Sequence, residues 1–512
     1  MLASTPVALY DAGTTGYPTE PFNPSDEYPE YPFGARGLFS TEENRVYASV
    51  RAMLRDLGLD AARYGTPDWN PLGELVQPGA TVVLKPNLVL SDHALGQPGI
   101  EATVAHGAVL RPLIDYASIA LQGRGRILVA DSPLKEVDFE RILTLSGVRA
   151  IVDLYNRCAS LPVEVLDFRD RYVARNEFRF MMDLTPLPGD PAGYSLVDLG
   201  AESMFHDAGI EWQRLRSTAV YYENVMGEFH NNANHKYSVP NTLLGADLVI
   251  SVAKLKTHRK SGVTLSLKNA VGITNEKRAL PHHRVGSPSC GGDAVSDGAR
   301  PDAWLEDRFR DVILSHPYGR HVLRIVGPPL RVSGRRVLQN LFSRLRPGLP
   351  PEATIVEGDW YGNDTVWRMA LDLNRVLIYA DRQGRLAERP QRKYLSIIDG
   401  IVAGEGEGPL YPDPVKAGIL LAGLHPVIVD VVAGTVMGYD YRKIAILREA
   451  VERQWPLRPE VAPSDIQIVG NRPEWRDILR GVPSPFAFRA SAGWQGHIER
   501  ASGAHSMAVG VR

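Results

Sequence analysis

The segment at residues 251–272, SVAKLKTHRKSGVTLSLKNAVG, concentrates positive charge in the middle of the chain. It contains no carboxylate, and its basic and imidazole side chains are Lys254, Lys256, His258, Arg259, Lys260 and Lys268. Lysines at the end of a strand supply point charges to an anion, and Gly262 allows backbone N–H groups to approach it closely. The pattern predicts a cradle for a phosphate or carboxylate group, with a solvated basic loop as the alternative.

Lys268 and Asn269 stand inside an apolar run, VTLSLKNAVG, which we expect to be a strand or a turn. A lysine there would be partly desolvated and suited to proton transfer. His258 would serve as an acid, a base or a metal ligand, unless it lies on the surface. Of the adjacent pair His282 and His283, at most one would face a site, because neighbouring side chains on an extended segment point in opposite directions.

A second charged segment, DGIVAGEGEGP, places Asp399, Glu405 and Glu407 among four glycines. We expect a loop that wraps a ligand, because glycines allow close backbone approach but are costly to order. Its carboxylates would hold a divalent cation such as magnesium or supply a general base, whereas the alternative is a flexible acidic hairpin. We predict that residues 251–272 face residues 404–408 across one cleft, since opposite charges compensate each other's desolvation.

Polar side chains also follow two predicted strands. VVLKPN contains Lys85 and Asn87, and ILVADS ends in Asp131 and Ser132. Alternation of such strands with helical segments is typical of a parallel sheet with covering helices. Since ligands bind at the carboxyl ends of the strands in these sheets, we expect these side chains to lie at a site.

The elements that must position these residues predict an α/β fold. Apolar spacing indicates a helix that starts at Thr41, and a helical pattern also covers residues 102–121. The 512 residues exceed one ordinary core, so we expect mainly parallel sheets with covering helices in two lobes, plus a basic insertion. The predicted parts are an irregular N-terminal arm at 1–40, a first lobe at 41–240, a second lobe at 241–460 with the insertion at 285–350, and a C-terminal extension at 461–512.

The composition is that of an ordinary globular protein, with 44% hydrophobic residues, 23% charged residues and a formal net charge of -2. Charge therefore gives no global attraction to nucleic acid or to membranes. The two cysteines, Cys158 and Cys290, argue against a disulfide framework, and no iron–sulfur cluster is expected. The N-terminal residues lack the features of a signal peptide and no segment is apolar enough to span a membrane, so we expect a cytoplasmic protein with free thiols.

Familiar catalytic motifs are absent from the sequence. There is no Walker signature, no dinucleotide-binding fingerprint, no GxSxG elbow and no HExxH. These absences disfavour the common nucleotide-binding and hydrolase classes.

The predicted insertion contains an arginine-rich segment at residues 318–346. No acidic residue interrupts its arginines, which are Arg320, Arg324, Arg331, Arg335, Arg336, Arg344 and Arg346. Such a segment would dock weakly and salt-sensitively on an acidic partner or an anionic membrane surface. The alternative is that the arginines are solvated or cover apolar surface.

Several stretches, taken in order, resemble the domain of unknown function 362 family. They are VVLKPNLV, VADSP, ADLVISVAKLKTH with GVTLSLKNAVG, and IIDGIVAGEGEGP with PVIVDVVAGTVMGYD, within about residues 80–445. Members of that family often carry a four-cysteine ferredoxin module, which this sequence lacks, so the resemblance does not imply electron transfer. His425 stands where the family tends to have an aspartate, and the insertion at 285–350 lies outside the resemblance.

A fainter likeness links residues 245–272 to the nickel-pincer lactate racemase family. In that family a similar strand with a histidine and a Gly/Lys block lines a cofactor and hydroxy-acid site. This is a fold-level analogy, and fold does not transfer function.

The leading hypothesis is an enzyme that acts on a small anionic metabolite, phosphorylated or carboxylated. The expected catalytic residues are His258, Lys268 and Glu407. Substrate would be bound by Lys85, Asn87, Ser132, Lys254, Lys256 and Asn269. A divalent metal ion would be held by Asp131, Asp399 and Glu405.

Two alternatives stay open at this point. One is a racemase or epimerase that depends on a metal cofactor. The other is a non-catalytic binding or assembly protein that docks through residues 318–346.

Overall fold

A computed structural model of the protein describes residues 6–175, 181–207, 209–218, 225–299, 304 and 357–500. The strands of this part of the chain are β1 Val7–Asp11, β2 Thr81–Pro86, β3 Arg126–Asp131, β4 Val163–Asp167, β5 Arg171–Arg175, β6 Met181–Pro186, β7 Tyr194–Asp198, β8 Leu215–Arg216, β9 Lys236–Pro240, β10 Leu248–His258, β11 Gly262–Val263, β12 His283–Arg284, β13 Lys393–Glu407, β14 Tyr411–Val415, β15 Ile419–Gly423 and β16 Ile468–Val469.

The α-helices of the same residues are α1 Arg45–Asp56, α2 Gln97–Thr103, α3 Gly107–Leu121, α4 Phe139–Leu145, α5 Val148–Cys158, α6 Met226–Phe229, α7 Asn241–Leu244, α8 Leu265–Asn269, α9 Val366–Tyr379, α10 Pro426–Val436 and α11 Ala445–Glu452. None of the helices within the described ranges is both long enough and apolar enough to cross a membrane.

One mixed sheet of ten strands organises the molecule. Its order is β16-β1-β15-β13-β10-β2-β3-β4, with β11 added to β10 and β14 added to β13. The run from β13 through β10, β2 and β3 to β4 is parallel, whereas β15 is antiparallel to both of its neighbours. The predicted α/β fold with a mainly parallel sheet is confirmed.

Strands from all four predicted parts of the chain meet in this sheet. The arm supplies β1, the first lobe supplies β2 to β4, the second supplies β10, β13 and β15, and the extension supplies β16. The two predicted lobes therefore share a single sheet. The irregular arm expected at 1–40 contains a buried strand, because its short apolar run VALY pairs with β15.

The sheet lies between two hydrophobic cores. Along β10, Val249, Ala253 and Leu255 belong to one core, whereas Ile250 and Val252 belong to the other. This alternation is the period of a strand, with α9 and α10 covering one face and α1 and α3 the other. Each fully buried aliphatic side chain contributes roughly 1.5–3 kcal/mol, so β10 is held firmly from both sides.

The ends of two helices differ from the sequence prediction. α1 begins at Arg45 rather than near Thr41, because the Asn44 side chain accepts a hydrogen bond from Tyr47 N and caps the helix. The helical pattern at 102–121 is divided between the end of α2 and α3, with an extended residue at Val104.

Candidate functional site

A cavity of about 170 Å³ lies beyond the carboxyl ends of β2, β3 and β10. This is the edge at which α/β sheets hold ligands. The described residues that line it are Lys85, Asn87, Val89, Asp131, Ser132, Pro133, Leu134, Thr218, Lys256, His258, Arg259, Lys260, Thr264, Lys268, Asn269, Val271, Gly272, Lys277, Leu280, His282, Asp359, Pro409 and Leu410. The structure thus brings together eight of the residues predicted from sequence: Lys85, Asn87, Asp131, Ser132, Lys256, His258, Lys268 and Asn269.

A buried ion pair joins β2 to β3 at the floor of the cavity. Lys85 Nζ lies 2.7 Å from Asp131 Oδ1 and also donates to Asn269 Oδ1 at 2.8 Å and Pro86 O at 3.0 Å. Burial lowers the pKa of Lys85, although Asp131 opposes the shift. The three N–H groups of this ammonium are used within the protein, so Lys85 contributes charge rather than a free hydrogen-bond donor.

Gly272 allows the next segment to pack directly on this ion pair. A Cβ atom at this position would overlap both Asp131 Oδ1 and Lys85 Nζ. The close approach also lets Ser132 N donate to Gly272 O at 2.9 Å. Only glycine fits here, and the close approach explains the glycine that ends the sequence LSLKNAVG.

Asn269 links helix α8 to two strands. Its Nδ2 donates to Lys85 O at 3.1 Å and to Ser251 Oγ at 2.9 Å, while its Oδ1 accepts from Lys85. A buried amide with these partners is fixed in orientation. Asn269 therefore positions its neighbour Lys268 and uses its own donors within the protein.

Lys268 lies on the short helix α8, not on the strand or turn predicted from sequence. Asp430 of α10 accepts hydrogen bonds from Ser266 N at 2.8 Å and Leu267 N at 2.7 Å and so caps this helix. Leu265 begins the helix with φ of 47°, a left-handed conformation that is strained for leucine. The apolar spacing indicated a strand or a turn. This five-residue helix instead depends on tertiary contacts, which periodicity does not show.

The Lys268 amine is nearly enclosed, with 8% of the residue exposed. No hydrogen bond or ion pair reaches this amine from the described part of the chain. Burial, followed by the charges of Lys260 and Lys85, lowers the pKa of Lys268 to about 7. The ammonium and the neutral amine are therefore both populated near neutral pH.

Lys277 is a second lysine with a shifted pKa, and it was not among the predicted site residues. Its Nζ donates to Val271 O at 3.2 Å. Burial lowers its pKa to about 7, although Asp131 opposes the shift. A role in the site is hard to predict from sequence because Lys277 stands between Glu276 and Arg278, in a charged run typical of a solvated turn.

Lys256 is held by three oxygen acceptors. Its Nζ donates to Thr103 O at 2.6 Å, Pro409 O at 2.9 Å and Asn87 Oδ1 at 3.3 Å. Three acceptors fit an ammonium group, although burial and the neighbouring lysines hold its pKa well below the usual value. Like Lys85, it supplies positive field to the cavity and ties β10 to the residues around it.

Two neutral imidazoles face the cavity with opposite hydrogen-bonding roles. His258 Nδ1 accepts from Lys260 N at 3.0 Å and Ser261 N at 3.3 Å, so its hydrogen is on Nε2. His282 Nδ1 donates to Leu280 O at 2.8 Å, so its Nε2 carries a lone pair. Burial and the charge of Lys268 hold the pKa of both rings well below the usual value. One ring can donate a hydrogen bond and the other can accept one.

Two buried hydroxyl groups in the cavity wall have no hydrogen-bond partner among the described residues. They are Ser132 Oγ and Thr264 Oγ1. Buried polar atoms in proteins are nearly always satisfied, so such atoms beside a cavity indicate where a ligand would bind. Ser132 was predicted from sequence and Thr264 was not.

Lys254 lies outside the cavity, in a different buried cluster. Its Nζ is 2.9 Å from Asp399 Oδ2 and donates to Tyr17 OH at 2.8 Å. Asp399 also accepts from Tyr17 OH at 2.8 Å and His106 N at 3.0 Å. These contacts fasten the N-terminal segment to β10 and β13, so both predicted site residues have structural partners.

The acidic segment is one strand of a β-hairpin, which agrees with the hairpin of the alternative interpretation and not with the predicted loop. Residues 400–407 form the end of β13, and β14 pairs with residues 403–407 in an antiparallel hairpin. Lys256 of β10 is aligned with Gly404, so the basic and acidic segments lie side by side as neighbouring strands. The predicted arrangement across a cleft is wrong, because backbone pairing fixes the two segments at strand spacing.

Glu405 and Glu407 are engaged by the C-terminal part of the chain. Arg489 N donates to Glu405 Oε2 at 2.9 Å, and Ala492 N donates to Glu407 Oε1 at 2.8 Å. Neither glutamate is among the residues that line the cavity. Glu407 is exposed, so its predicted catalytic role has no support from its position.

The three carboxylates predicted to hold a metal ion do not form one ligand set. Asp131 pairs with Lys85, Asp399 with Lys254, and Glu405 with the Arg489 side chain. In the described ranges, no group of three or more His, Cys, Asp or Glu side chains could hold a metal ion. The arginine-rich residues 318–346 lie outside the described residues.

The cavity also contains charged side chains that were not selected as site residues. Lys260 pairs with Asp359 at 3.0 Å, and Arg259 lies 3.5 Å from the same carboxylate. The basic run THRK in the sequence could have indicated Arg259 and Lys260. Asp359 could not be placed from sequence, because it is about 100 residues away and no pattern links it to β10.

Comparison with known proteins shows the family to which the chain belongs. Residues 182–435, about half of the chain, match the family model described as Domain of unknown function (DUF362). No curated protein and no solved structure matches the chain, so the likeness to the nickel-pincer lactate racemases is not shown. The matched range contains β10 and α8, and through it the chain belongs to the domain of unknown function 362 family.

Proposed function

We propose that the protein is an enzyme that acts on a small metabolite carrying a phosphate or carboxylate group. The observation that carries the proposal is the imbalance of charge in the cavity wall. Six basic side chains line it, namely Lys85, Lys256, Arg259, Lys260, Lys268 and Lys277, against two carboxylates, Asp131 and Asp359. Burying unpaired charge is costly, and a bound anion would compensate that cost.

The basic residues divide into two groups. Lys85 and Lys256 donate their N–H groups to protein oxygens and provide fixed positive charge. Lys268 and Lys277 keep free donors, as does the unpaired hydroxyl of Ser132. The second group would contact the ligand, because its donors have room for an additional acceptor.

The size of the cavity favours a small ligand. Pockets for drug-sized molecules occupy roughly 300–1,000 Å³. This cavity, at about 170 Å³, is smaller and suits a compact anion with few carbon atoms.

Lys268 would carry out proton transfer, and the two histidines would orient the reacting groups by hydrogen bonds. Lys268 has a pKa of about 7 and could take up or release a proton at neutral pH. His282 Nε2 could accept a hydrogen bond and His258 Nε2 could donate one. A cytoplasmic location belongs to the same proposal, since Cys158 and Cys290 are free thiols.

Thermal unfolding with a panel of small anions tests the proposal. Phosphate, phosphorylated sugars and short carboxylic acids should raise the melting temperature, because a ligand that binds the folded state stabilises it by mass action. Lys268→Met should abolish the increase, whereas the exposed control Lys416→Met should retain it. Equal increases in both variants would place the anion site elsewhere.

A further inference from the structure

We propose that Lys268 is a nucleophile that forms an imine with the carbonyl carbon of a small anionic aldehyde, ketone or 2-oxo acid. This inference rests on the proposed function and deepens it, because it names the substrate class of the same cavity. It requires an amine that is accessible to a ligand, free of internal partners, firmly positioned and able to lose its proton.

Freedom from internal partners distinguishes Lys268 from the other lysines of the cavity. Within the described residues, no acceptor reaches its Nζ. The other lysines each have at least one: Lys85 pairs with Asp131, Lys256 has three oxygen acceptors, Lys260 pairs with Asp359, and Lys277 donates to Val271 O. The lone pair of Lys268 is therefore available once the proton is lost.

The backbone around Lys268 is fixed on both sides. Asp430 caps the preceding residues, Leu267 is buried in the core, and Asn269 is bonded to two strands. A nucleophile held this way presents its amine to the cavity without a large loss of backbone freedom on reaction.

The electrostatic surroundings favour the neutral amine. The positive charges of Lys260 and Lys85 oppose protonation of Lys268, and Lys268 in turn acts on Lys256 and Lys277. A lysine beside other cations in a dehydrated pocket is the arrangement that activates an amine for attack on a carbonyl. Burial alone would give a weaker effect than burial with like charge.

The reaction balances without an oxidant or reductant. The nitrogen lone pair of neutral Lys268 forms the C–N bond while the carbonyl π pair moves to oxygen. The nitrogen then loses its two protons and the oxygen takes up both and leaves as water. The C–O bond breaks as an electron pair left on the deprotonated nitrogen forms the C=N bond. His282 Nε2 can accept a hydrogen bond from the nitrogen, and His258 Nε2–H is free to hydrogen-bond the departing oxygen.

The same cavity offers contacts for the anionic group of the substrate. Lys277 has N–H groups beyond the one that Val271 O accepts, and the hydroxyls of Ser132 and Thr264 lack partners among the described residues. These donors would hold a carboxylate or phosphate while the carbonyl carbon meets Lys268. A substrate with both groups would therefore use the free donors of the cavity.

Reductive trapping tests the inference. The purified protein is incubated with pyruvate or with dihydroxyacetone phosphate, reduced with borohydride, and mapped by tryptic mass spectrometry. Trypsin does not cleave after a modified lysine, so an adduct on Lys268 appears on the peptide at 261–277, whereas one on Lys277 appears on the peptide at 269–278. Lys268→Arg keeps the charge without a comparable nucleophile and should remove the adduct. Lactate and glycerol 3-phosphate, which lack the carbonyl group, serve as matched anions in thermal unfolding.

The outcomes separate this inference from the proposed function. An adduct on the 261–277 peptide that Lys268→Arg abolishes supports both. Thermal stabilisation by the matched anions without an adduct, or with labelling at Lys277 or at the exposed Lys416 instead, overturns the imine and leaves the anion site standing. Neither stabilisation nor an adduct with any probe overturns both.

Discussion

Two of the buried lysines have contrasting surroundings. Lys254 and Asp399 are both inaccessible to solvent and form an ion pair, to which Tyr17 adds a further hydrogen bond. Lys268 is almost as buried, yet it meets other cations and no acceptor among the described residues. The same residue type therefore occurs in two settings: a paired charge holds elements together, and the unpaired charge is open to the anion that we propose.

This contrast leads to opposite expectations for stability. Removing one partner of a buried ion pair strongly lowers the free energy of unfolding, since the remaining charge is left in an apolar surrounding. An unpaired charge already opposes folding, so its removal relieves the folded state. Variants at the two lysines' surroundings therefore distinguish the two cases.

Asp399→Ala should reduce the free energy of unfolding by about 3–5 kcal/mol, because it leaves Lys254 buried without its carboxylate. Urea denaturation measures the loss, with Asp413→Ala as a control at an exposed ion pair. The double variant Lys254→Met/Asp399→Leu should regain only part of this stability. It leaves no unpaired buried charge, but Tyr17 OH and His106 N lose their acceptor. An Asp399→Ala protein as stable as the control would show that the pair is not structural.

Gly272→Ala should destabilise the protein by about 1–3 kcal/mol, because the added methyl group overlaps the Lys85–Asp131 pair and forces it apart. Urea denaturation again gives the magnitude. Gly298→Ala is the matched control, since nothing lies within reach of a Cβ there. Equal effects at the two glycines would contradict the packing described for the cavity floor.

Lys268→Met should raise the free energy of unfolding by roughly 0.5–2 kcal/mol, with the gain largest below pH 7. In the folded protein the pKa of Lys268 is about 7, against an ordinary value of 10.5. Between these values the unfolded state binds more protons, so the wild-type protein gains stability from this group as pH rises. Melting temperatures of the two proteins should therefore differ most at pH 6.5 and converge toward pH 10. A gap that widens with pH would contradict the direction of the shift.

Glu407→Ala should change stability by less than about 0.5 kcal/mol and leave anion binding intact, because the side chain is exposed and outside the cavity. Thermal unfolding with and without phosphate measures both quantities. If phosphate no longer raised the melting temperature of this variant, the acidic segment would belong to the anion site.

The sequence predicted the parts of the site that local pattern determines. Strand ends located Lys85 and Asp131, and the basic run located Lys256, His258 and Lys268, because ligands gather where parallel strands end. The pattern could not show that Lys254, two residues before Lys256, has a carboxylate partner on the next strand. That distinction depends on the register of β10 against β13, which places Lys254 opposite Asp399.

Other features depend on contacts between distant segments and could not be predicted from the sequence. The five residues of α8 are helical because Asp430 caps them, and Asp359 reaches the cavity from about 100 residues away. The acidic glycine segment suggested a loop, since glycine and charge are typical of loops. Pairing with β14 makes it a strand instead.

Calorimetric titration with phosphate tests the central claim, that the unpaired Lys268 makes this cavity an anion site. The wild-type protein and Lys268→Met are each titrated at pH 6 and pH 8.5, with Lys416→Met as the control. The wild-type protein and the control should bind more tightly at pH 6, where Lys268 is protonated, and Lys268→Met should show no measurable binding at either pH. Binding by Lys268→Met at wild-type affinity, or affinity that does not change with pH, would contradict the claim.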